Sequence, residues 1–346
     1  MMDENSPLLE IKDLKTYFHL DEGVVKAVDG ADLFVPQRST VGVVGESGCG
    51  KTVTAYSILQ LIERPGRIEA GQILWYRSPE EGSEVIDLAA LKPNSRTMRT
   101  IRGGEIAMIF QEPLSSLSPV HTVGNQIIEA IYLHRTTRHA EARQQAIEML
   151  HRVGIPKPEQ RIENYPFQLS GGMRQRAMIA LALSCYPKLL IADEPTTALD
   201  VTTQAQILEL MRELQHDFGM SILLITHNLG VIAETCDRVA VMYLGEVVEL
   251  ADTLSLFNDP KHPYTQALLR SIPKLGQRSR GRLDPIQGMV PDPYNRPVGC
   301  AFHPRCPHII PGLCDRERPA LKPLSAPGSG VAASSVRCFL YGDSDV

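Results

Sequence analysis

Residues 45–52 read GESGCGKT, with Gly45, Gly48, Gly50, Lys51 and Thr52 spaced as G-x-x-x-x-G-K-T directly behind the apolar run TVGVV at residues 40–44. That pattern is a P-loop. The glycines let the turn close tightly enough for backbone N–H groups, from Gly45, Glu46, Ser47, Gly48, Cys49 and Gly50 on to Val53, to converge on phosphate oxygens. A helix starting near Lys51 adds the positive end of its dipole. Lys51 offers a mobile cation to the β and γ phosphates, and Thr52 a hydroxyl to Mg²⁺. A P-loop alone fits many nucleotide hydrolases, so a second acidic site must narrow it. LLIADEP, residues 189–195, supplies one: an apolar strand delivers Asp193 at its C-terminal end, where a carboxylate can orient Mg²⁺. Glu194 follows it, placed to polarise the water that attacks a γ-phosphate.

Between these two motifs lies LSGGMRQRAMIALAL. Ser170 and the glycines Gly171 and Gly172 open a helix N-terminus, a second anion site. With Leu169 they resemble the signature motif of the ATP-binding cassette family of transport ATPases, although Met173 stands where that motif most often has glutamine. In that family the signature of one subunit covers the γ-phosphate held by the P-loop of the other, so ATP joins two head-to-tail ATPase domains. The resemblance implies further roles. Gln111, in IFQEP, is similar to the Q-loop residue that reaches Mg²⁺ and the water and senses the membrane subunits. Asp200, in TALD, is similar to the D-loop residue, and His227, after ILLIT, to the switch histidine that contacts the γ-phosphate. Tyr17, in LKTYF, is the candidate for stacking on adenine, with Phe18 as its competitor.

Residues from about 8 to 250 alternate short β-branched runs with longer helical patterns, the mark of an α/β sheet. Strands are expected over residues 9–14, 40–44, 105–110, 189–192, 221–226 and 238–243. The spacing of Ala146, Met149, Leu150 and Val153 predicts a helix, and another is expected over residues 171–185. The expected fold is therefore an α/β P-loop NTPase core of the ABC type with an inserted helical subdomain at about residues 112–186, filling residues 1–258. A small, irregular, Cys-rich C-terminal domain is expected over residues 259–346, with a flexible loop at residues 325–335.

The 346 residues carry a formal charge of -5 and no basic patch, which gives no general reason to expect a nucleic-acid binder. No apolar run reaches the roughly 20 residues needed to span a bilayer. The start, MMDENSPLLE, lacks a signal-peptide pattern, so the chain is expected at the cytoplasmic face of the membrane, held there by partners. Its seven cysteines then stay reduced.

The segments GVVKAVDG, IFQEPLSSLSPVHTVG, NYPFQLSGGMRQRAMIA and HPYTQALL together resemble the ATPase subunits of dipeptide, oligopeptide and nickel importers. That resemblance covers nearly the whole chain and implies two transmembrane permease subunits, a second and paralogous ATPase subunit, and, indirectly, an extracytoplasmic substrate-binding protein. It also places EPLSSLSP, residues 112–119, on the surface that docks to the permeases. Cys300, Cys306, Cys314 and Cys338 stand as C-x5-C-x7-C-x23-C, without the C-x2-C knuckle of zinc ribbons. Four soft thiolates on a short irregular segment can hold a [4Fe–4S] cluster, which related importer ATPases carry in this tail. Zinc, with His303 or His308 among its ligands, is the alternative. The expected function is an ATP-hydrolysing importer subunit acting with ATP and Mg²⁺. The alternatives are a soluble ABC-type ATPase acting on nucleic acid or ribosomes, which tends to carry two cassettes or a long coiled-coil insertion, and an exporter ATPase.

Overall fold

The structure, a computed structural model, describes residues 6–77, 84–111, 116–136, 138–197, 199–271, 286–324 and 334–341. In chain order the elements are β1 (Pro7–Leu20), β2 (Gly23–Pro36), β3 (Thr40–Val44), α1 (Lys51–Ile58), β4 (Gly66–Tyr76), β5 (Val85–Asp87), α2 (Arg96–Gly104) and β6 (Ile106–Ile109). Four helices follow: α3 (Val123–His134), α4 (His139–Arg152), α5 (Pro158–Arg161) and α6 (Gly171–Leu183). Then come β7 (Leu189–Asp193), α7 (Val201–Phe218), β8 (Ser221–Ile225), α8 (Leu229–Thr235), β9 (Arg238–Tyr243) and β10 (Glu246–Asp252). The last are α9 (Thr253–Asn258), α10 (Pro263–Arg270), β11 (Lys322–Leu324) and β12 (Ser334–Val336). No described helix is long and apolar enough to cross a membrane.

The chain divides into two compact units, one built on residues 1–8, 35–40 and 90–225, the other on residues 9–34, 41–89 and 226–346. In the first, β6, β7 and β8 run parallel, with Ile106 beside Leu189 and Asp193 beside Ile225. β7 and β8 are buried at every position, the continuous burial expected of central parallel strands. Helices α3, α4 and α6 lie between β6 and β7 in sequence and pack on one another. Ala146, Met149, Leu150 and Val153 are all buried, as their spacing predicts.

In the second unit β2, β1, β4 and β5 form a four-stranded antiparallel sheet. β3 runs parallel to β9, and β10, β12 and β11 extend outward from β9 as antiparallel neighbours. The expected bounds of β3 and β9 hold to the residue. β1 continues well past residue 14, because Asp13 at φ 45 sits in a bulge that interrupts the alternation. The expected helix over residues 171–185 ends at Leu183.

The tail belongs to the unit that holds β3 and α1. Two interactions tie it there. Ser335 and Val336 of β12 pair with Leu250 and Glu249 of β10. Arginines of the tail meet carboxylates of the sheets: Arg296 pairs with Asp29 at 2.8 Å and with Glu246, Arg318 with Glu246 at 2.6 Å, and Arg337 with Asp32 at 3.2 Å. Of the expected loop at residues 325–335, residues 325–333 lie outside the described residues, while Ser334 and Ser335 are strand and correct that expectation. Residues 112–115 of the expected docking segment also lie outside the described residues.

Candidate active site

In the second unit the turn between β3 and α1 is built on glycine. Gly48 (φ +77) and Gly50 (φ +100) adopt left-handed backbone. A Cβ on Gly45 would stand 2.2 Å from the Met242 carbonyl oxygen, and one on Gly50 2.3 Å from that of Ala27. Only bare backbone fits there. The Cys49 N–H donates to the Glu46 carbonyl at 3.3 Å, and the Gly245 N–H to the Cys49 carbonyl at 2.9 Å. Lys51 is 7% exposed, and its ammonium donates to the carbonyls of Gly45 (2.9 Å) and Glu46 (3.1 Å). Burial pushes the neighbouring Cys49 thiol up, against the pull of Lys51.

Tyr17, half-buried on β1, donates its hydroxyl to Asp29 at 2.6 Å, and the Lys26 ammonium lies 5.5 Å from its ring centroid. Burial and then that hydrogen bond raise its pKa. Asp29 is held below its ordinary range even though burial opposes this, because Tyr17, Arg296 and Arg318 favour the carboxylate. Thr226 donates its N–H to Val43 at 3.2 Å, tying the residue before His227 to the strand that feeds the P-loop. His227 itself is exposed.

In the first unit Asp193 ends β7 and is 1% exposed. Glu194 has φ +46, left-handed backbone that a side chain rarely adopts and that clusters at functional sites. Its N–H donates to Ile225 at 2.8 Å. Its carboxylate accepts from Gln111 at 3.2 Å and from the Thr197 hydroxyl at 2.9 Å. Gln111 and Glu194, 83 residues apart, are thus brought together. Ser170 caps α6 by accepting from the Met173 N–H at 3.3 Å. A Cβ on Gly171 would meet nothing within 4 Å, so open space lies over this helix start. Gln175 on α6 donates to the Pro195 carbonyl, linking α6 to the turn that follows Glu194. Asp200 caps α7 through the Thr203 N–H (2.9 Å) and hydroxyl (2.7 Å), and the N–H bond is the main reason its carboxyl sits below the ordinary range.

In the tail, burial and then Cys314 and Cys338 push the Cys300 thiol up to about 12. Burial and then Cys314 raise Cys306, while burial, Cys306 and Cys314 push Cys338 up to about 11. Among the described residues no three His, Cys, Asp or Glu side chains stand together so as to hold a metal ion.

The motif reading missed the supports: Thr197 behind Glu194, Asp29 behind Tyr17, and Arg305 and Tyr264, which hydrogen-bond to Glu46 of the P-loop. Only Tyr264, inside HPYT, carried any signal.

A P-loop after a parallel strand, an Asp-Glu pair at the end of another and a capped LSGG helix define an ATP-binding cassette. Residues 28–197 match the ABC transporter family model, and residues 248–314 match that of the oligopeptide/dipeptide transporter C-terminal region. The oligopeptide transport ATP-binding protein AppD of Bacillus subtilis is 49% identical over 97% of both chains. The dipeptide transport ATP-binding protein DppD of Escherichia coli is 47% identical over 92% of this chain and 94% of its own. Among solved structures, the ADP- and phosphate-bound dimer of the ATP-binding cassette MJ0796 matches with a TM-score of 0.60 and 26% identity, over 71% of this chain and 98% of that one. The chain belongs to the ABC transporter family and is an ATP-hydrolysing subunit of its oligopeptide/dipeptide branch. Neither the nucleic-acid or ribosome ATPase nor the exporter is supported by these relatives.

Proposed function

We propose that the chain drives uptake of dipeptides, oligopeptides or a related substrate as the motor of an importer, from the cytoplasmic face of the membrane. Its partners are two transmembrane permeases, a second and paralogous ATPase subunit and, indirectly, an extracytoplasmic substrate-binding protein. Supporting this are the C-terminal match and the names of the two transport proteins given above. Helices α3 to α6 act as the inserted subdomain, and residues 259–346 as the branch-specific C-terminal region.

ATP phosphates sit in the cradle of residues 45–53, with Lys51 between them and Tyr17 against adenine. The strand-end carboxylate of Asp193, the Thr52 hydroxyl and Gln111 would hold Mg²⁺, which neutralises phosphate charge when bound. Glu194 orients and polarises water, and His227 contacts the γ-phosphate. Ser170, Gly171, Gly172 and Asp200 complete the site of the opposing ATPase. The hydrogen bond from Gln111 to Glu194 carries these roles, because it gives the proposed sensor of the permeases a direct hold on the proposed base. Replacing Glu194 by Gln tests them in the assembled transporter. ATP binding is retained, turnover falls at least roughly a hundredfold and a closed ATPase pair accumulates. Near-normal hydrolysis would refute the role.

We also propose that Cys300, Cys306, Cys314 and Cys338 hold a [4Fe–4S] cluster, with zinc as the alternative. The support is the four soft donors that the tail carries, with the Cys300 N–H donating to the Cys314 carbonyl at 2.9 Å. The fit is in number and softness of donors, not in ligand geometry, and no step of ATP hydrolysis passes through the group.

A further inference from the structure

One tail arginine ends on the P-loop itself. The Arg305 side chain is 3% exposed, and its two terminal nitrogens meet the two carboxylate oxygens of Glu46 at 2.7 and 3.1 Å, a bidentate fork. The fork is fixed from behind: the guanidinium donates through Nε to the Gln287 carbonyl at 3.1 Å and lies 5.8 Å from the Tyr243 ring centroid and 6.0 Å from that of Phe302. Glu46 is gripped a second time, because its N–H donates to the Tyr264 hydroxyl at 2.9 Å. Tyr264 is fully buried and packs on Tyr243 and Phe302. The carbonyl of the same Glu46 receives Lys51 and the Cys49 N–H.

A carboxylate inside a phosphate cradle repels the anion the cradle is built for unless a cation covers it. Arg305 supplies that cation, and the bidentate geometry also fixes where the first half of the turn lies.

We propose that Arg305 is a positioning residue for nucleotide binding, acting through Glu46: it covers the carboxylate and sets the P-loop so that N–H groups, not negative charge, face the phosphates. This rests on the reading of residues 45–53 as the ATP cradle. The C-terminal region thereby tunes ATP affinity from outside the motif.

The test measures Mg-ATP binding by the full-length chain and four variants. Arg305→Ala weakens binding roughly tenfold and Arg305→Lys less, since a point charge covers without forking. Arg305→Ala combined with Glu46→Gln recovers to within roughly threefold of wild type, because removing both partners leaves no exposed charge. The Arg305→Ala deficit shrinks between about 0.05 and 0.5 M salt, which a purely structural loss would not do. Binding by Arg305→Ala within twofold of wild type would overturn the proposal, as would a double variant as weak as the single. If Arg305→Ala does not fold, Arg305→Lys carries the test, and affinity equal to wild type at low salt overturns it. Lys51→Ala separates the two readings: unchanged ATP binding there refutes the cradle itself, whereas a loss leaves only the Arg305 assignment at stake.

Discussion

His262 should make the stability of the unit holding the P-loop strongly dependent on pH below neutrality. The imidazole is 1% exposed, caps α10 by accepting the Tyr264 N–H on Nδ1 at 3.0 Å, and faces Phe302. Burial pushes its pKa from 6.5 down to about 3, against a hydrogen bond with the Arg337 backbone. A depressed base is neutral when folded and charged when unfolded, so its contribution is fully present above pH 6.5 and is lost as pH falls towards 3. At pH 5 the unfolded state is favoured about 30-fold by protonation that the folded state refuses, a loss of about 2 kcal/mol. Other buried groups titrate too: burial raises Glu246 and Glu249, and Asp29 and Asp252 are held low. A comparison with His262→Asn removes them, since Asn caps a helix equally well and does not titrate. Trp75, the single tryptophan, is fully buried on β4 in the same unit and reports its urea unfolding by fluorescence. The variant starts less stable at pH 8, and the gap to wild type closes by about 2 kcal/mol at pH 5. Parallel stability curves for the two proteins from pH 8 to 5 would refute the reasoning.

Three further outcomes are expected. The isolated chain hydrolyses ATP weakly and gains at least roughly tenfold on assembly with a second ATPase, which supplies the opposing signature; full activity in a strictly monomeric state contradicts this. Gly50→Ala, at φ +100 and 2.3 Å from the Ala27 carbonyl, loses ATP binding and more than about 1 kcal/mol of stability; a variant that melts and binds like wild type rules that out. Anaerobically purified protein is brown, absorbs near roughly 400 nm, holds about four irons per chain and is bleached by Cys306→Ser. Stoichiometric zinc without iron would exclude the cluster and leave the ATPase standing.

The parts of the fold that were legible are those where one local rule decides. TVGVV and RVAVMY are apolar behind a single polar first residue, and the chain buries them as parallel neighbours with the bounds their composition implies. Asp193 could be placed at a strand end because the apolar run LLIA stops where the carboxylate begins. β10 was hidden because Glu246 and Glu249 break its apolar pattern, yet both are buried. One meets Arg296 and Arg318, and the other accepts the N–H groups of Lys261 (2.7 Å) and His262 (2.8 Å). At the site, side chains that would touch phosphate announce themselves by motif, whereas those that hold them do not. Arg305 stands 259 residues from Glu46, and no spacing rule spans that distance.

The unit that holds the P-loop is stitched from three stretches, residues 9–34, 41–89 and 226–346. That has a consequence for synthesis. The P-loop leaves the ribosome early, but its neighbours Gly245 and Tyr264 and the cation on Glu46 emerge some 200 to 260 residues later. At roughly 5–20 residues per second, the phosphate cradle spends tens of seconds translated but unsupported. The residues between, 90–225, belong almost wholly to the other unit, which has all its segments out first. Newly made chain therefore passes through a stage in which the signature helix has its partners and the P-loop still lacks Gly245, Tyr264 and Arg305. Nucleotide competence is the last property this polypeptide acquires, and a nascent chain stalled before Arg337 also leaves Asp32 without its arginine.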